Sequence, residues 1–277
     1  MKSKLSGIVL TIFVTLIVVA SLFPLYWIVL CALRPYSTLY TTEVRLIPTE
    51  ITLNAFRWVL FESKFLVWFK NSLIVYGITL LASVVVIIPA SYSLSRFKFK
   101  GKKSLLSSYF ILSQIMTGMS IIGLIALYSL LLKLGMINSL VVLGLIYTAS
   151  LVPYISWYLK TYLDTIPTDF DEAALIDGAS FFQNLRHVIL PMAKPGIAVA
   201  IIFITIITWS EWVLASILLG SENFTLALGL VSLQVRWETP WNYFAATSIL
   251  YAIPIMVVFT LAQRYLKAGL TLGGIKQ

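Results

Sequence analysis

Long apolar runs constrain this sequence more than any other feature. Of its 277 residues, 60% are hydrophobic and only 11% are charged, whereas a soluble domain carries about 25% charged residues. A helix that crosses a bilayer needs about 20 consecutive, mainly apolar residues, and several stretches of this chain reach that length. The sequence therefore predicts an all-α polytopic membrane protein.

Apolar runs separated by polar loops predict six membrane-spanning helices. Proline falls inside four of them, which membrane bundles tolerate because neighbouring groups satisfy the freed backbone. The first span follows Lys2 and Lys4 and resembles a secretory signal, but its apolar stretch is too long for one, so we expect it to be retained. The spans run near Gly7–Ala32, Leu73–Ser95, Ser104–Leu132, Leu140–Tyr158, Gly196–Leu219 and Tyr243–Leu266.

The distribution of Lys and Arg predicts the orientation of the spans. With the N-terminus in the cytoplasm, the cytoplasmic segments hold 13 of the 20 basic residues, and the densest cluster, RFKFKGKK, lies in one short loop. Short basic loops face the cytoplasm. Residues 163–195 and the tail at 267–277 are then cytoplasmic. The net charge of +9 is explained by topology and by attraction to anionic lipid, not by nucleic-acid binding.

Residues 34–70 form an external segment that is too charged to span. It carries five aromatic residues between Trp58 and Phe69. Aromatic side chains at this spacing predict one or two amphipathic helices that lie in the membrane interface.

A polar, jointed stretch, EAALIDGASFFQNLRHVILP, lies between the fourth and fifth spans. Thr168 followed by Asp171 three residues later predicts a capping box at the start of a short helix, and Gly178 predicts its end, where positive φ is tolerated. Small side chains on one face of that helix would let a partner approach closely, although an ordinary amphipathic linker remains the alternative. The residues that share this face are Phe170, Ala173, Ala174 and Asp177.

The same stretch predicts a second short helix. Ser180 with Gln183 three residues later is another capping box. Because the residue before a proline disfavours the helical conformation, we expect this helix to end near Leu190, ahead of Pro191.

The motif EAALIDGA, followed by LP and KPG, resembles the EAA motif of permease subunits in ATP-binding-cassette importers. The stretches NSLIVYGITLLASVVVIIPASYSLSRFKFKGKK and TWSEWVLASILL, and the tail QRYLKAGLTLGGIKQ, are similar to carbohydrate permeases of the maltose-transporter type, in particular the smaller subunit with six spans. Leu185 departs from the Phe of many members but stays apolar. The fixed motif positions that match are Glu172, Ala173, Ala174, Asp177, Gly178, Ala179, Leu190 and Pro191.

The resemblance implies a multisubunit importer in the cell membrane. Its partners are a second permease subunit, a dimer of ATPase chains that hold ATP and Mg, and an extracytoplasmic sugar-binding protein. The motif, with Asp171 before it, is expected to dock on the ATPase. The cytoplasmic tail is expected to reach the same interface, with a frayed terminus as the alternative; its candidate residues are Gly269, Thr271, Gly273 and Gly274.

The sequence offers little for an enzyme. It has no G-x-x-x-x-G-K-[ST] phosphate loop, so we expect ATP hydrolysis on another chain and no cofactor bound by this one. Its one histidine, His187, does not make a metal cluster, and its one cysteine, Cys31, cannot form an internal disulfide.

Glu211, in TWSEWVL, is the acid most clearly placed inside a span, and intramembrane charges are functional hypotheses by default. With Trp209 and Trp212 beside it, it suits a sugar, whose C–H faces stack on aromatic rings while its hydroxyl groups bond to the carboxylate. A structural acid with an aromatic belt is the alternative. Weaker candidates for the pathway are Gln114, Tyr147, Thr148, Ser150 and Tyr154.

The function favoured by these patterns is a permease subunit of an ATP-driven sugar importer. A permease for another solute, such as glycerol phosphate, is the alternative within the family. A stand-alone secondary transporter would need ion-coupling groups and often internal repeats, and a membrane scaffold would lack a pathway.

Overall fold

The described part of the chain is mainly helical. The structure, a computed structural model, describes residues 2–39, 45–48, 50–117, 121–234 and 239–273, and within these ranges there is no β-strand. The predicted all-α class is confirmed. In chain order the α-helices are α1 Lys2–Leu33, α2 Asn54–Phe61, α3 Phe65–Arg96, α4 Lys102–Thr117, α5 Ile121–Lys133, α6 Leu140–Leu163, α7 Asp169–Ile176, α8 Phe181–Asn184, α9 Leu190–Ser210, α10 Val213–Leu218, α11 Leu226–Ser232 and α12 Trp241–Gly273.

Among the described residues, five helical segments are long and apolar enough to cross a membrane. They correspond to five of the six predicted spans. The third predicted span coincides with α4 and α5, which are separated by residues 118–120, outside the described part. The six-span count therefore stays a prediction. The five segments are Val9–Leu33, Phe65–Arg96, Leu140–Leu163, Phe181–Ser210 and Trp241–Tyr265.

The four prolines that the sequence predicts inside spans lie inside long helices, and Pro195 lies inside α9 as well. Proline has no N–H to donate to the carbonyl one turn earlier, yet the helices continue past it, which is the behaviour expected of a membrane bundle. The four predicted prolines are Pro24 in α1, Pro89 in α3, Pro153 in α6 and Pro254 in α12.

The first of two compact units comprises Met1–Val67 and Gly229–Ile253. Within this unit the Trp58 ring of α2 stacks on Tyr243, with the ring centroids 4.2 Å apart. The sequence predicts one or two helices in the external segment, and α2 is one such helix. A separate second one does not form after it, because Phe65 already begins the long helix α3.

The second unit comprises Trp68–Leu228 and Pro254–Gln277. Its main core is built by side chains of α3, α6 and α9 together with the helical segment that leads into α9. Branched aliphatic residues dominate this core. The most deeply buried of them are Ile87, Ile155, Ile189 and Ile204.

Small and hydroxylated residues bring α3 and α6 into close contact. The Thr79 hydroxyl donates to the carbonyl of Gly144 at 3.0 Å, and the Ser91 hydroxyl donates to the carbonyl of Ser156 at 3.1 Å. A Cβ placed on Gly144 would lie 2.9 Å from Cγ2 of Ile78. Such packing is typical of membrane helices, where close backbone approach replaces the hydrophobic effect as the force between helices.

The fifth predicted span, Gly196–Leu219, is wrong at both ends. The helix enters from residues that precede Gly196, and it stops at Ser210. Glu211 then takes an extended conformation, and its carboxylate accepts the N–H groups of Leu214 at 2.7 Å and Ala215 at 3.4 Å. Because the carboxylate satisfies these first N–H groups, the chain can restart as the short helix α10.

The close contact of α3 and α6 predicts the effect of a single methyl group. We expect Gly144→Ala to lower the free energy of unfolding by about 1–3 kcal/mol, because the added Cβ overpacks the contact with Ile78. Gly77→Ala on α3 is the matched control, since a Cβ there meets nothing within 4 Å, and Ala favours a helix over Gly. Unfolding of the purified protein in SDS, followed by circular dichroism, measures both. Equal stability of the two variants would contradict the close approach.

Candidate functional site

Helix α7 begins without the capping box that the sequence predicts. Thr168 has helical backbone angles, φ −67° and ψ −20°, and its side chain makes no cap hydrogen bond. The capping partner, Asp171, is 8% exposed and points away from the N-terminus of its own helix, towards the end of α3. The predicted box fails because a carboxylate gains more from several buried donors than from one backbone N–H.

Asp171 is contacted by side chains from α3 and α8. Its Oδ1 accepts from the Tyr92 hydroxyl at 2.7 Å and from Nδ2 of Asn184 at 2.8 Å. Its Oδ2 lies 2.9 Å from Nε of Arg96, and the two side chains of this ion pair are only 9% and 12% exposed. We call Tyr92, Arg96, Asp171 and Asn184 the Arg96 network.

Arg96 also reaches the end of α6. One guanidinium nitrogen, Nη1, donates to the carbonyl of Leu163 at 3.2 Å, and the other, Nη2, donates to the carbonyl of Ile166 at 3.0 Å. Free carbonyl groups at a helix C-terminus carry partial negative charge. One cation therefore neutralises the end of α6 and the carboxylate of α7 at the same time.

The turn between α7 and α8 confirms two predictions. Gly178 has φ +79°, the left-handed conformation that glycine adopts without strain. Ser180 forms the predicted capping box with Gln183: its backbone N–H donates to the Gln183 side chain at 2.7 Å, and its hydroxyl accepts the Gln183 N–H at 3.4 Å. Local sequence therefore predicts the turn that joins the two short helices.

The predicted end of the second helix near Leu190 is wrong. A π-helical segment, Leu185–Ile189, follows α8, and α9 continues directly through Pro191. The N–H of Leu190 donates to the carbonyl of Leu185, five residues earlier. The wider turn relieves the conflict between the proline and the preceding turn, so the helix need not stop.

The joined helix from Phe181 to Ser210 has 30 residues. At 1.5 Å per residue it is about 45 Å long, whereas the hydrocarbon core is about 30 Å thick. If α9 crosses the bilayer, α8 projects beyond the core, and a rigid helix connects the loop to the interior of the membrane.

The predicted small-residue face of α7 is divided. Ala174 is buried within the chain, whereas Ala173 and Asp177 are exposed. Glu172, Gly178 and Pro191 are exposed as well, and Ala179 is partly buried. The small side chain of Ala174 therefore packs against other parts of this chain. Ala174 does not contribute to the outer surface of the loop.

The outer surface of the loop is unexpectedly apolar. Leu175 is 63% exposed, Ile176 is 86% exposed and Phe182 is 77% exposed, and Phe170 on the same loop is 45% exposed. Exposed apolar side chains of this kind are typical of surfaces that contact another protein or the membrane. The sequence pattern pointed to Phe170 but not to Leu175, Ile176 or Phe182, although Leu175 and Ile176 lie within the motif EAALIDGA.

A cavity of about 380 Å³ gathers four of the predicted pathway residues. The Tyr147 hydroxyl donates to the Glu211 carboxylate, and Tyr154 and Ser150 lie on the same wall of α6. The lining residues are Leu124, Tyr147, Ser150, Leu151, Tyr154, Ile207, Thr208, Glu211, Val213 and Leu214.

The other predicted pathway residues lie elsewhere. Trp209 is buried and packs edge-on against Phe69 and Tyr76, with ring centroids 6.0 and 6.2 Å away. Trp212 is exposed and is not among the cavity-lining residues, and the side chain of Gln114 lies outside the described part of the chain. The prediction that both tryptophans flank one site with Glu211 is not supported by this arrangement.

The tail predictions fall largely outside the described residues. Helix α12 continues to Gly273, so the chain through Gly269 and Thr271 is helical rather than an extended tail. Side chains from residue 266 onward, and Gly274 with the residues after it, are not described.

The Arg96 network was missed in the sequence. Arg96 belongs to the basic cluster RFKFKGKK, which was interpreted as a topology signal, and its partner Asp171 is 75 positions away in the sequence. No local spacing links two such residues. A tyrosine one turn before the arginine, and a lone asparagine in a short helix, gave no further signal.

The chain is similar to known proteins over nearly all of its length. Residues 2–271 match the family described as the binding-protein-dependent transport system inner membrane component. The chain is 32% identical to the diacetylchitobiose uptake system permease protein of Streptomyces coelicolor, covering 92% of this chain and 91% of that protein. It is 35% identical to the galactooligosaccharides transport system permease protein of Bacillus subtilis, covering 92% and 90%. It is 31% identical to the trehalose/maltose transport system permease protein of Thermococcus litoralis, covering 99% of each.

The fold is similar to that of one chain in the crystal structure of a bacterial ABC transporter involved in the import of the acidic polysaccharide alginate. The TM-score is 0.78 at 22% identity, and the match covers 96% of this chain and 98% of that one. The relatives are permease proteins, which are transporters and not enzymes. Because the family match and the relatives extend over nearly all of the sequence, this membrane protein belongs to the family of inner membrane components of binding-protein-dependent transport systems.

Proposed function

We propose that this chain is a permease subunit of an ATP-driven importer of sugars and forms half of its translocation pathway. The observation that carries the proposal is the apolar outer surface of the loop at residues 163–195, formed by Phe170, Leu175, Ile176 and Phe182. This surface is attached to the spans by helices and by the Arg96 network. An exposed apolar surface at such a point suits a partner that pushes on the membrane helices.

The partner that we propose for this surface is an ATPase subunit on a separate chain. The residues expected to face it are Glu172, Ala173, Asp177 and Gly178, which are exposed beside the apolar side chains. Ala174, Ala179 and Pro191 would shape the loop behind them. ATP and Mg would be held by the ATPase dimer. A second permease subunit would complete the pathway, and an extracytoplasmic binding protein would deliver the sugar.

Asp171 has a different part in this proposal from the one that the motif implies. Its carboxylate is buried among Tyr92, Arg96 and Asn184, so a contact with the ATPase would require the loop to open. We assign Asp171 to the inner side of the loop, where it positions the docking residues.

The solute that we propose is an oligosaccharide. Relatives are named for diacetylchitobiose, galactooligosaccharides and trehalose or maltose. The described lining of the cavity offers hydroxyl groups, aromatic rings and the Glu211 carboxylate, with no Lys or Arg. Such a lining suits neutral sugar hydroxyls better than the phosphate group of glycerol phosphate, which an acidic side chain would repel.

A stand-alone secondary transporter fits the chain less well. Such a protein uses intramembrane acids to bind a coupling ion. Glu211 is the acid that lines the described cavity, and its carboxylate already accepts from the Tyr147 hydroxyl and from two backbone N–H groups at the start of α10. Glu211 therefore has a structural role, which ion coupling in a secondary transporter does not explain.

The docking surface predicts that two exposed apolar residues hold the ATPase. We expect the double variant Ile176→Ser, Phe182→Ser to reduce the amount of ATPase subunit that co-purifies in detergent, because each lost apolar side chain removes about 1.5–3 kcal/mol of burial. The stability of the permease itself should not change, since both side chains are mainly exposed. Leu53→Ser, at an exposed site in the external segment, is the control. Undiminished co-purification of the ATPase would argue against this surface.

Charge and backbone changes in the motif are expected to uncouple transport. We predict that Glu172→Lys or Gly178→Asp leaves membrane insertion intact but lowers sugar uptake about tenfold, the usual scale of a coupling between sites. Gly178→Asp also strains a residue at φ +79°. Uptake of radiolabelled diacetylchitobiose, maltose, trehalose and a galactooligosaccharide measures the effect, with glycerol 3-phosphate as the comparison.

Glu50→Lys makes the same charge change in the external segment and serves as the control for Glu172→Lys. Unchanged uptake in the motif variants, with ATPase subunits still bound, would refute the coupling. Uptake of glycerol 3-phosphate in preference to every sugar would refute the proposed solute class.

The cavity predicts a smaller effect on sugar binding. We expect Tyr154→Phe to raise the half-saturation concentration for uptake by about two- to tenfold, because a hydroxyl hydrogen bond contributes about 0.5–1.5 kcal/mol. Tyr128→Phe on α5 is the control, since Tyr128 is exposed but is not among the residues that line the cavity. The same half-saturation in both variants would remove Tyr154 from the pathway.

A further inference from the structure

The end of α3 is attached to both short helices of the loop, although the chain does not connect them. The loop is continuous in sequence with α6 on one side and with α9 on the other. Helix α3 ends at Arg96, 75 residues before Asp171. Whatever moves α3 together with the loop must therefore act through non-covalent contacts.

We propose that Arg96 is the positioning residue through which movement of the loop reaches α3 and the end of α6. This proposal rests on the proposed function, because it assumes that an ATPase moves the loop. It goes beyond that function by assigning the transmission to a residue outside the EAA motif.

Charge complementarity carries the first part of the proposal. The Arg96–Asp171 pair lies at 2.9 Å with both side chains nearly buried. Separating a buried ion pair leaves each charge in a poorly solvated site, so such a pair resists separation far more than an exposed one. The pair Lys160–Asp164, at 2.5 Å on the surface of α6, is the exposed counterpart and is expected to contribute little.

The geometry of the guanidinium carries the second part. A guanidinium presents several donors in one plane. Here Nε lies 2.9 Å from Oδ2 of Asp171 as an ion pair, while the Nη atoms donate to the carbonyls of Leu163 and Ile166. A lysine would have to place its single nitrogen near all three acceptors at once, whereas the guanidinium distributes its nitrogens among them. The arginine thus holds α3, α6 and α7 in one fixed relation.

Helix α8 is attached to the same point. Nδ2 of Asn184 donates to the Tyr92 hydroxyl at 3.1 Å as well as to Asp171. The Phe181 ring packs edge-on against Tyr92, with centroids 5.3 Å apart, and is stacked near Phe97 at 6.2 Å. Both short helices therefore meet the end of α3, and a push on either is transmitted to it.

The test uses the assembled complex with the partner permease, the ATPase and the binding protein, reconstituted in liposomes. The probe is whichever of the four labelled sugars used above the unmodified complex takes up fastest. For Arg96→Met and for Asp171→Asn we expect ATPase subunits to stay bound and ATP hydrolysis to continue, while uptake falls about tenfold. Arg96→Lys keeps the charge but loses two carbonyl contacts, so its uptake should lie between those of Arg96→Met and the unmodified protein.

Lys160→Met is the control, because it removes the exposed ion pair near the same end of α6; its uptake should match that of the unmodified complex. Uptake within about twofold of the unmodified complex in both Arg96→Met and Asp171→Asn would overturn the proposal. Loss of uptake in proportion to loss of bound ATPase, in both variants, would assign the pair to assembly and would also overturn it. An unmodified complex that does not bind an ATPase would instead overturn the proposed function.

Discussion

The buried carboxylate of Asp171 determines how the loop at residues 163–195 is built. A carboxylate away from water must be paired and hydrogen-bonded, and this one draws a phenol and a guanidinium from α3 and an amide from α8. Because those donors come from separate elements, satisfying one acid fixes the position of both short helices against the spans. The apolar residues Leu175 and Ile176 are then left on the outer surface. Buried charged groups hold the loop on its inner side, and apolar side chains are exposed on its outer side.

The sequence was sufficient for most of the fold because the bilayer limits what a chain can do. A run of 20 or more apolar residues has to form a helix, since lipid offers no partner for its backbone groups. Local chemistry also predicted the turn at Gly178 and the capping box at Ser180. The predictions were wrong where the local structure depends on residues that are distant in the sequence or on a local change in the backbone. Thr168 has helical backbone angles and makes no cap, and the Asp171 side chain that would complete the box binds donors elsewhere. The helix passes Pro191 through a π-helical segment.

The cavity lined by Glu211 also combines features that local sequence predicts with features that depend on distant residues. Glu211 was recognised from its charge, yet its structural use depends on the helix break at Ser210 and on Tyr147, which is 64 positions away. The sequence could not separate a sugar-binding acid from a structural one, and the carboxylate here caps α10 while it lines a cavity. Trp209, two positions before it, packs against Phe69 and Tyr76 instead. The side chains of residues that are neighbours in sequence point in different directions. Closeness in sequence alone therefore does not define a site.

The account depends on one contact between two polypeptides, in which Ile176 is covered by an ATPase. A photo-activated cross-linker at position 176, in cells that are importing sugar, tests this contact most directly. The account predicts a cross-linked product that contains this permease and the ATPase subunit, and less of it when Phe182 is replaced by Ser. Cross-linking to lipid or water alone, while uptake continues at the normal rate, would contradict it.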